Sequence, residues 1–385
     1  MNPARQHLEP YHYISTDAEL SGLLCDIAGE ERLAVDTEAD SLHHYREKVC
    51  LIQITADGRD FVVDPLAGFD LSGLSAILSK RPLVFHGADY DLRMLRRSLK
   101  VNPERPVFDT MLAAQLLGYE KLGLAALVER HFGVTLSKRG QKSDWSKRPL
   151  TSEQLEYARL DTHYLPRLAD ILAGELASKG RGAWFAEACE AVVRGAMEED
   201  RADDGEGWRV KGSRLLSGRE LAYLREIWRW REEEARRVDL PRFKILVDEQ
   251  MMAVVRWAAA HPGKTLSRGP RLPRNCVGKR LSELEKAAGR ARSLPEKELP
   301  AQPRPERHPR PSGDCSRRIE LLRLECASLA AKMGLSPSTL APRAAIAAVA
   351  AALPKTVEET MKAGELLRWQ AELLLPAVEK IARKK

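Results

Sequence analysis

The chain has few cysteines and no long apolar run. Its six cysteines (Cys25, Cys50, Cys189, Cys276, Cys315 and Cys326) are scattered over 385 residues, and no two form a Cys-x-x-Cys pair. That spacing excludes the usual zinc and redox signatures, and the number is low for a disulfide scaffold. A reducing cytoplasm is the expected location. No stretch reaches the roughly 18 to 20 consecutive apolar residues of a membrane span. The Ala-rich stretch Ala341–Pro354 is shorter and carries Arg343. No basic start followed by an apolar run marks a secretory signal. Membrane is therefore not an expected partner, and no feature marks a stable protein partner.

Charge is present but unevenly divided. Residues 1–200 hold 24 Lys+Arg against 31 Asp+Glu, a balance of −7, whereas residues 201–385 hold 38 against 24, a balance of +14. A basic segment is the electrostatic footprint of a polyanion, usually nucleic acid, although basic surfaces also serve solubility alone. A chain of this length exceeds one ordinary core, so two or three domains are expected.

The N-terminal part reads as strands. Arg32–Asp36, Val49–Thr55 and Asp60–Asp64 are short and rich in β-branched residues, and their short connections favour an antiparallel meander. Helical and extended patterns then alternate: a helix over Leu71–Ser79, a strand over Pro82–His86, a helix over Asp89–Leu99, a strand at Val107-Phe108 and a helix over Thr110–Leu117. Three antiparallel strands followed by such alternation predict a mixed α/β sheet. Gly140–Pro149 is a basic loop with one aromatic residue, Trp145. Thr151 or Ser152 can cap a following helix, with Glu153 and Gln154 in its first turn, and helical sequence continues to about Met197. The charged stretch Glu198–Gly207 marks a boundary. A second helical unit spans about 208–290, a segment with six prolines over 291–316 has linker composition, and a third helical unit covers 317–385.

Three acidic motifs stand out. Residues i and i+2 of a strand share a face, so Asp36 and Glu38 project together from the end of the first strand. Asp91 falls in the first turn of the helix after His86-Gly87. There Asp89 competes on local grounds and is the better capping residue. Tyr157 and Asp161 stack on one helix face at spacing i, i+4. Each motif alone has an ordinary reading, as a solvated strand end, a dipole-favoured acid or an amphipathic helix.

Together, in this order and on these elements, the motifs resemble the DEDD exonuclease superfamily. The Tyr-x-x-x-Asp form of the third resembles its DEDDy branch, which includes polymerase proofreading domains, Werner-type exonucleases and ribonuclease D. The resemblance implies a ribonuclease H-like fold. It also implies a pocket in which Asp36, Glu38, Asp91 and Asp161 hold two divalent cations, Mg²⁺ or Mn²⁺, while Tyr157 orients the attacking water. The residue types suit that chemistry. Two carboxylates about 4 Å apart repel by about 4 kcal/mol at an effective dielectric near 20, so a cluster stays ionised only when cations neutralise it. Hard oxygen ligands suit those metals, and a metal pair can clamp an in-line phosphoryl displacement.

Further segments resemble the ribonuclease D family in particular: Leu51-Ile-Gln53-Ile, Phe108-Asp109-Thr110-Met111 and Lys142–Leu150. Arg148 and Lys147 are candidates to hold a phosphate, Trp145 to stack on a base or to pack the loop, and His86 to contact RNA. Gln53 and Asp109 read as structural residues or as supports for the metal ligands, rather than as ligands themselves. Trp208–Met251, with Pro241-x-x-x-Ile245-x-x-Asp248, resembles an HRDC domain, and 317–385 resembles it loosely. Arg225, Arg229, Arg231, Arg236, Arg237, Arg242 and Lys244 supply a possible basic face, though a charge-laced helix is usually just solvated.

The expected architecture is thus an α/β exonuclease domain over 1–200, an HRDC domain over 208–290, a linker over 291–316 and a second all-α HRDC-like domain over 317–385. The resemblance implies 3′→5′ hydrolysis of RNA with an accessible 3′ end, with release of nucleoside 5′-monophosphates and tRNA precursors as substrates. A DNA exonuclease of the Werner or proofreading type, and a non-catalytic nucleic-acid-binding protein, are the alternatives.

Overall fold

The structure is a computed structural model and describes residues 10–137, 139–198, 206–302 and 313–383. These form two compact units. One comprises the described residues of 10–39, 49–198 and 313–383, the other those of 40–48 and 206–302.

The first unit is built on strands β1 (His12–Ile14), β2 (Leu33–Ala39), β3 (Val49–Ala56), β4 (Arg59–Val63), β5 (Leu83–Phe85) and β6 (Val107–Asp109). They form one sheet in the order β1-β4-β3-β2-β5-β6. Strands β2, β3 and β4 are antiparallel neighbours, while β1 joins β4, β5 joins β2 and β6 joins β5 in parallel. The predicted mixed sheet is present. Helices α1 (Asp17–Ile27), α2 (Ser72–Lys80), α3 (Ala88–Leu99), α4 (Thr110–Leu117), α5 (Leu124–Phe132), α6 (Ser152–His163), α7 (Leu165–Ser178) and α8 (Gly182–Met197) accompany it.

Two differences from the expected elements have local causes. The segment before β2 holds β1 and α1, and the signal for α1 is Thr16, whose side chain accepts from the Glu19 N–H in a capping box. The helical sequence expected from Thr151 to Met197 forms three helices. Tyr164 closes α6 while Pro166 opens α7, where a missing N–H costs nothing. Gly180, at φ 64°, then turns the chain into α8.

The two sheet faces bury different things. Leu33, Val35, Ile52, Ile54, Phe61, Val63 and Phe85 pack with apolar residues of α1, α2, α3 and α8. The other face carries Ala34, Asp36, Gln53 and Val62 beneath α6 and α7. It is this second face that carries chemistry at its polar end.

Five more helices belong to the first unit: α13 (Gly313–Met333), α14 (Pro337–Leu340), α15 (Arg343–Ala352), α16 (Val357–Gly364) and α17 (Arg368–Arg383). The helices numbered between α8 and α13 lie in the other unit. Residues 317–383, expected as a separate domain, instead share one apolar core with α4, α7 and α8, through Leu116, Leu172, Phe185, Leu322, Cys326 and Ile346. Directed bonds reinforce it. Trp184 stacks on Trp369 at 4.8 Å, and the Arg181 guanidinium donates to the carbonyls of Leu116 and Met333. Gly118 sits at this junction with φ 84°, and an added Cβ would lie 1.8 Å from the Gly334 carbonyl oxygen. Gly118→Ala is therefore expected to cost about 2–3 kcal/mol of unfolding free energy in a urea titration.

The second unit contains α9 (Gly218–Val238), α10 (Arg242–Ile245), α11 (Asp248–Ala260) and α12 (Lys279–Ser293), packed around Trp208, Leu221, Ile227, Trp230, Val255 and Leu284. It runs past the expected end at residue 290. Leu294 and Leu299 pack against its core, and the Gln302 amide donates to the Leu216 carbonyl. The first part of the expected linker is thus folded, and residues 303–312 of that segment lie outside the described residues. The order of α13, α14 and α15 repeats that of α9, α10 and α11: a 21-residue helix, a 4-residue helix, then a third helix.

Candidate active site

The site forms where β2 leaves the core. Its buried residues Leu33, Ala34 and Val35 give way to Asp36 and Glu38, which share the α6 face of the sheet, while Thr37 between them faces the α3 side. Asp91 comes from the first turn of α3. The turn before it places Gly87 at φ 83°, and the Asp109 carboxylate accepts from the N–H groups of Gly87 and Ala88, both at 2.9 Å. Asp109 also accepts from the Met111 N–H at 2.9 Å, so one carboxylate fixes two helix starts and serves structure. Asp91 is in turn aimed by Thr37, whose N–H and hydroxyl donate to its Oδ1 at 3.0 and 2.6 Å.

Asp89 does not compete for this place. It is exposed, pairs with Arg93 at 3.0 Å and does not cap α3, whose N-cap is Gly87. Tyr157 and Asp161 arrive on α6, which Thr151 starts in a capping box with Gln154. The Tyr157 hydroxyl donates to the Asp161 carboxylate. Asp36, Glu38, Asp91, Tyr157, Asp161 and His86 all line one open cleft of about 660 Å³.

Among the described residues, Asp36, Glu38 and Asp161 are the group able to hold a metal ion, with one oxygen from each lying within 4.8 Å of the others. Crowding and burial hold these acids toward their neutral forms. Burial, then the charges of Asp91, Asp161 and Glu38, raises Asp36 well above the ordinary carboxylate range. Burial, with the charges of Asp161 and Asp91, pushes Glu38 up to about 9. Burial pushes Asp161 up to about 7 against the Tyr157 hydrogen bond, and Asp91 up to about 6 against those of Thr37. Burial and the surrounding acids also raise Tyr157 far above an ordinary phenol, so its hydroxyl stays protonated and is no base. Buried hard-oxygen donors that repel one another are the donor set of a divalent cation, and the residues fit one.

Tyr157 is held from two sides. Trp145 lies behind it with ring centroids 6.1 Å apart. On the other side Gly140 meets the ring, and a Cβ there would lie 2.3 Å from its Cγ. Gly140→Ala is expected to lower kcat about ten- to a hundredfold by displacing the ring, with KM moving less than threefold, as measured by steady-state kinetics on a single-stranded oligonucleotide.

The expected RNA contacts fare differently. Trp145 is 1% exposed, packed with Cys50, Leu51, Val62 and Ala158, and presents no face to a base. Arg148 grips Asp64 with two nitrogens at 2.5 and 2.6 Å and donates to the carbonyls of Cys50, Trp145 and Lys147. Both residues therefore hold the 140–150 loop to the sheet, the packing role weighed above for Trp145. The Lys147 side chain is 78% exposed, 3.5 Å from Asp144. His86 lines the cleft with Nδ1 2.9 Å from the Thr110 hydroxyl, and burial lowers its pKa, which favours the neutral ring. The opposite wall is Lys121–Ala126, which the sequence marks only by Gly123 ahead of α5.

In the second unit three of the six arginines of α9, Arg229, Arg231 and Arg237, are held close to carboxylates. Glu226 meets Arg229 and Arg290, Glu234 meets Arg237 and Arg280, and Arg231 meets Asp248, all within 3.0 Å. The basic face is to that extent neutralised internally.

Asp36, Glu38 and Asp161 converge at the end of β2, and Asp91 and Tyr157 line the same cleft, the acidic donor set of a metal-dependent hydrolase. A 3′-5′ exonuclease family model matches residues 11–177, and an HRDC domain model matches residues 220–261. The chain is 33% identical to the ribonuclease D of Nitrobacter hamburgensis over 253 residues, an alignment spanning 65% of each chain. It is 32% identical to that of Gluconacetobacter diazotrophicus over 318 residues, 81% of this chain and 80% of that one. The chain belongs to the ribonuclease D family, a family of hydrolytic 3′→5′ exoribonucleases. Its fold is similar to that of Escherichia coli RNase D, an exoribonuclease involved in structured RNA processing, with a TM-score of 0.73 at 24% identity over 98% of this chain and 99% of that one. Among the described residues no helix is long and apolar enough to cross a membrane.

Proposed function

We propose that the chain trims RNA from its 3′ end, one nucleoside 5′-monophosphate at a time, in the maturation of tRNA precursors and other small structured RNAs. The observation that carries this reading is the convergence of Asp36, Glu38, Asp91 and Asp161 in one cleft. Those four carboxylates would hold two divalent cations, Mg²⁺ or Mn²⁺. When bound, the cations supply an activated water and charge stabilisation for the departing 3′ oxygen.

The chain's own residues supply the rest. Tyr157 keeps its proton and positions the attacking water by hydrogen bond. Thr37 fixes the rotamer of Asp91, and Asp109 fixes the turn that presents it. Hydrolysis joins the water oxygen to phosphorus and breaks the bond from phosphorus to the 3′ oxygen. The monophosphate leaves and the shortened strand keeps a 3′ hydroxyl. The domains are read as an exonuclease domain over 1–200 and an HRDC domain over 208–290. The segment 317–385 is read as a second HRDC-like module, a reading that the repeated helix order of α13 to α15 supports.

Digestion of a tRNA carrying extra 3′ nucleotides, beside an RNA and a DNA strand of matched sequence, tests this. Cation-dependent release of mononucleotides from both RNAs is expected. Preference for the DNA strand would favour the Werner type instead, and no release from any strand would leave a binding protein.

A further inference from the structure

Gln53 is the residue of the central sheet that local packing does not explain. It lies in the middle of β3, flanked by Ile52 and Ile54, and is 0% exposed. Both polar atoms of its side chain, Oε1 and Nε2, are buried without a hydrogen-bond partner among the described residues. Burying an amide in that state costs about 1–3 kcal/mol, and an apolar side chain of similar volume would carry no such cost. Ile52 and Ile54 pack into the opposite face, so Gln53 points to the face covered by α6.

Its neighbours on that face are few. Gln53 stands directly opposite Asp36 on β2 and opposite Val62 on β4. Directly opposed residues of an antiparallel pair have Cβ atoms about 4.5–5.5 Å apart, within reach of a glutamine amide. Overhead lies Ala158 of α6. The next polar residue along β3 on this face, Thr55, already shares hydrogen bonds with Asp60 and Thr162, both at 2.8 Å. Asp36 is thus the ladder neighbour of Gln53 with acceptor capacity to spare, and it is one of the three acids whose oxygens converge.

We infer that Gln53 is a positioning residue for Asp36. When a cation draws one oxygen of the Asp36 carboxylate, the Gln53 Nε2–H group donates to the other oxygen and holds the carboxylate in the orientation that binds. The buried amide finds its partner in the loaded state, and stability of the unloaded fold is lowered in exchange for cation affinity. Outer partners of metal ligands typically change affinity or activity 10–100-fold when removed. This inference rests on the cation-dependent reading proposed above.

The test compares the full-length wild-type chain with Gln53→Met and Gln53→Leu, which replace the amide by apolar side chains of similar size. Two readouts are followed as Mn²⁺ is titrated: the thermal unfolding midpoint without RNA, and hydrolysis of a 3′-labelled RNA. The expected result is an unloaded midpoint equal to or above that of wild type, with about tenfold more Mn²⁺ needed both for half-maximal thermal stabilisation and for half-maximal hydrolysis. Variants that match wild type in both titrations would overturn the inference. So would variants whose unloaded midpoint falls, or which fail to fold, since Gln53 would then serve the fold. If wild type itself shows neither cation-induced stabilisation nor cation-dependent hydrolysis, the functional reading fails first.

Discussion

Asp161→Asn is expected to lower the turnover of RNA by at least about a thousandfold, which is about 4 kcal/mol of transition-state stabilisation. The substitution keeps the shape of the side chain and removes its charge. Asp161 belongs to the group of three acids whose oxygens approach within 4.8 Å, and it is also the acceptor for Tyr157. An amide there weakens the hold on a cation and loosens the tyrosine at once. RNA binding is expected to stay within about threefold of wild type, since phosphate contacts elsewhere supply most of the affinity. Tyr157→Phe separates the two effects. It leaves the carboxylates intact, so its loss is expected to be smaller, about ten- to a hundredfold in kcat, with an unchanged requirement for cation. Single-turnover kinetics on a 3′-labelled RNA, with binding measured separately by anisotropy in Ca²⁺, distinguishes these outcomes.

A second large effect concerns stability without cation. In the unfolded chain carboxyls titrate near 4. In the fold, burial and mutual repulsion push Asp91 up to about 6, Asp161 up to about 7 and Glu38 up to about 9. Between those limits the folded chain holds protons that the unfolded chain has released. Stability therefore falls as pH rises through this window, and the contribution is fully present only below about pH 4. Three units of raised pKa at one group correspond to about 4 kcal/mol, and each kcal/mol moves the midpoint of a domain this large by about 2–4 °C. In chelator the unfolding midpoint is expected to drop by about 8–16 °C from pH 5.5 to 8.5 on account of Glu38 alone. Millimolar Mn²⁺ should restore most of that at pH 8.5 and change little at pH 5.5. A midpoint that stays flat or rises with pH in chelator would mean that the acids are neutralised by something else. Asp161→Asn should flatten the profile.

The chemistry was more legible in the sequence than the packing. Strand periodicity puts Asp36 and Glu38 on one face, and helical periodicity puts Tyr157 and Asp161 on one face, because both spacings follow from backbone geometry alone. The placement of Asp91 over Asp89 is a long-range matter. It depends on Thr37, 54 residues away, and on the Asp109 carboxylate that shapes the turn. Trp145 and Arg148 mislead for a related reason. An aromatic and an arginine in a basic loop look alike whether they face solvent or the sheet, and only Asp64 and the Cys50 carbonyl reveal that they face inward. The third helical unit is another such case. Its apolar helices need a partner surface, and no local pattern says that the surface belongs to α4, α7 and α8. Gln53 is visible in the sequence as a polar residue in an apolar strand, but the lack of a hydrogen-bond partner for its amide among the described residues is a property of the folded chain.

The most direct test of the central claim is one labelled RNA strand incubated with the purified chain, with Mg²⁺ or with chelator, and with the label at either end. A 3′ label is expected to appear at once as nucleoside 5′-monophosphate while a 5′ label remains on progressively shorter strands, and both processes should stop in chelator and in Asp161→Asn. Internal cleavage products, or unchanged digestion by the chelated enzyme or by Asp161→Asn, would contradict it.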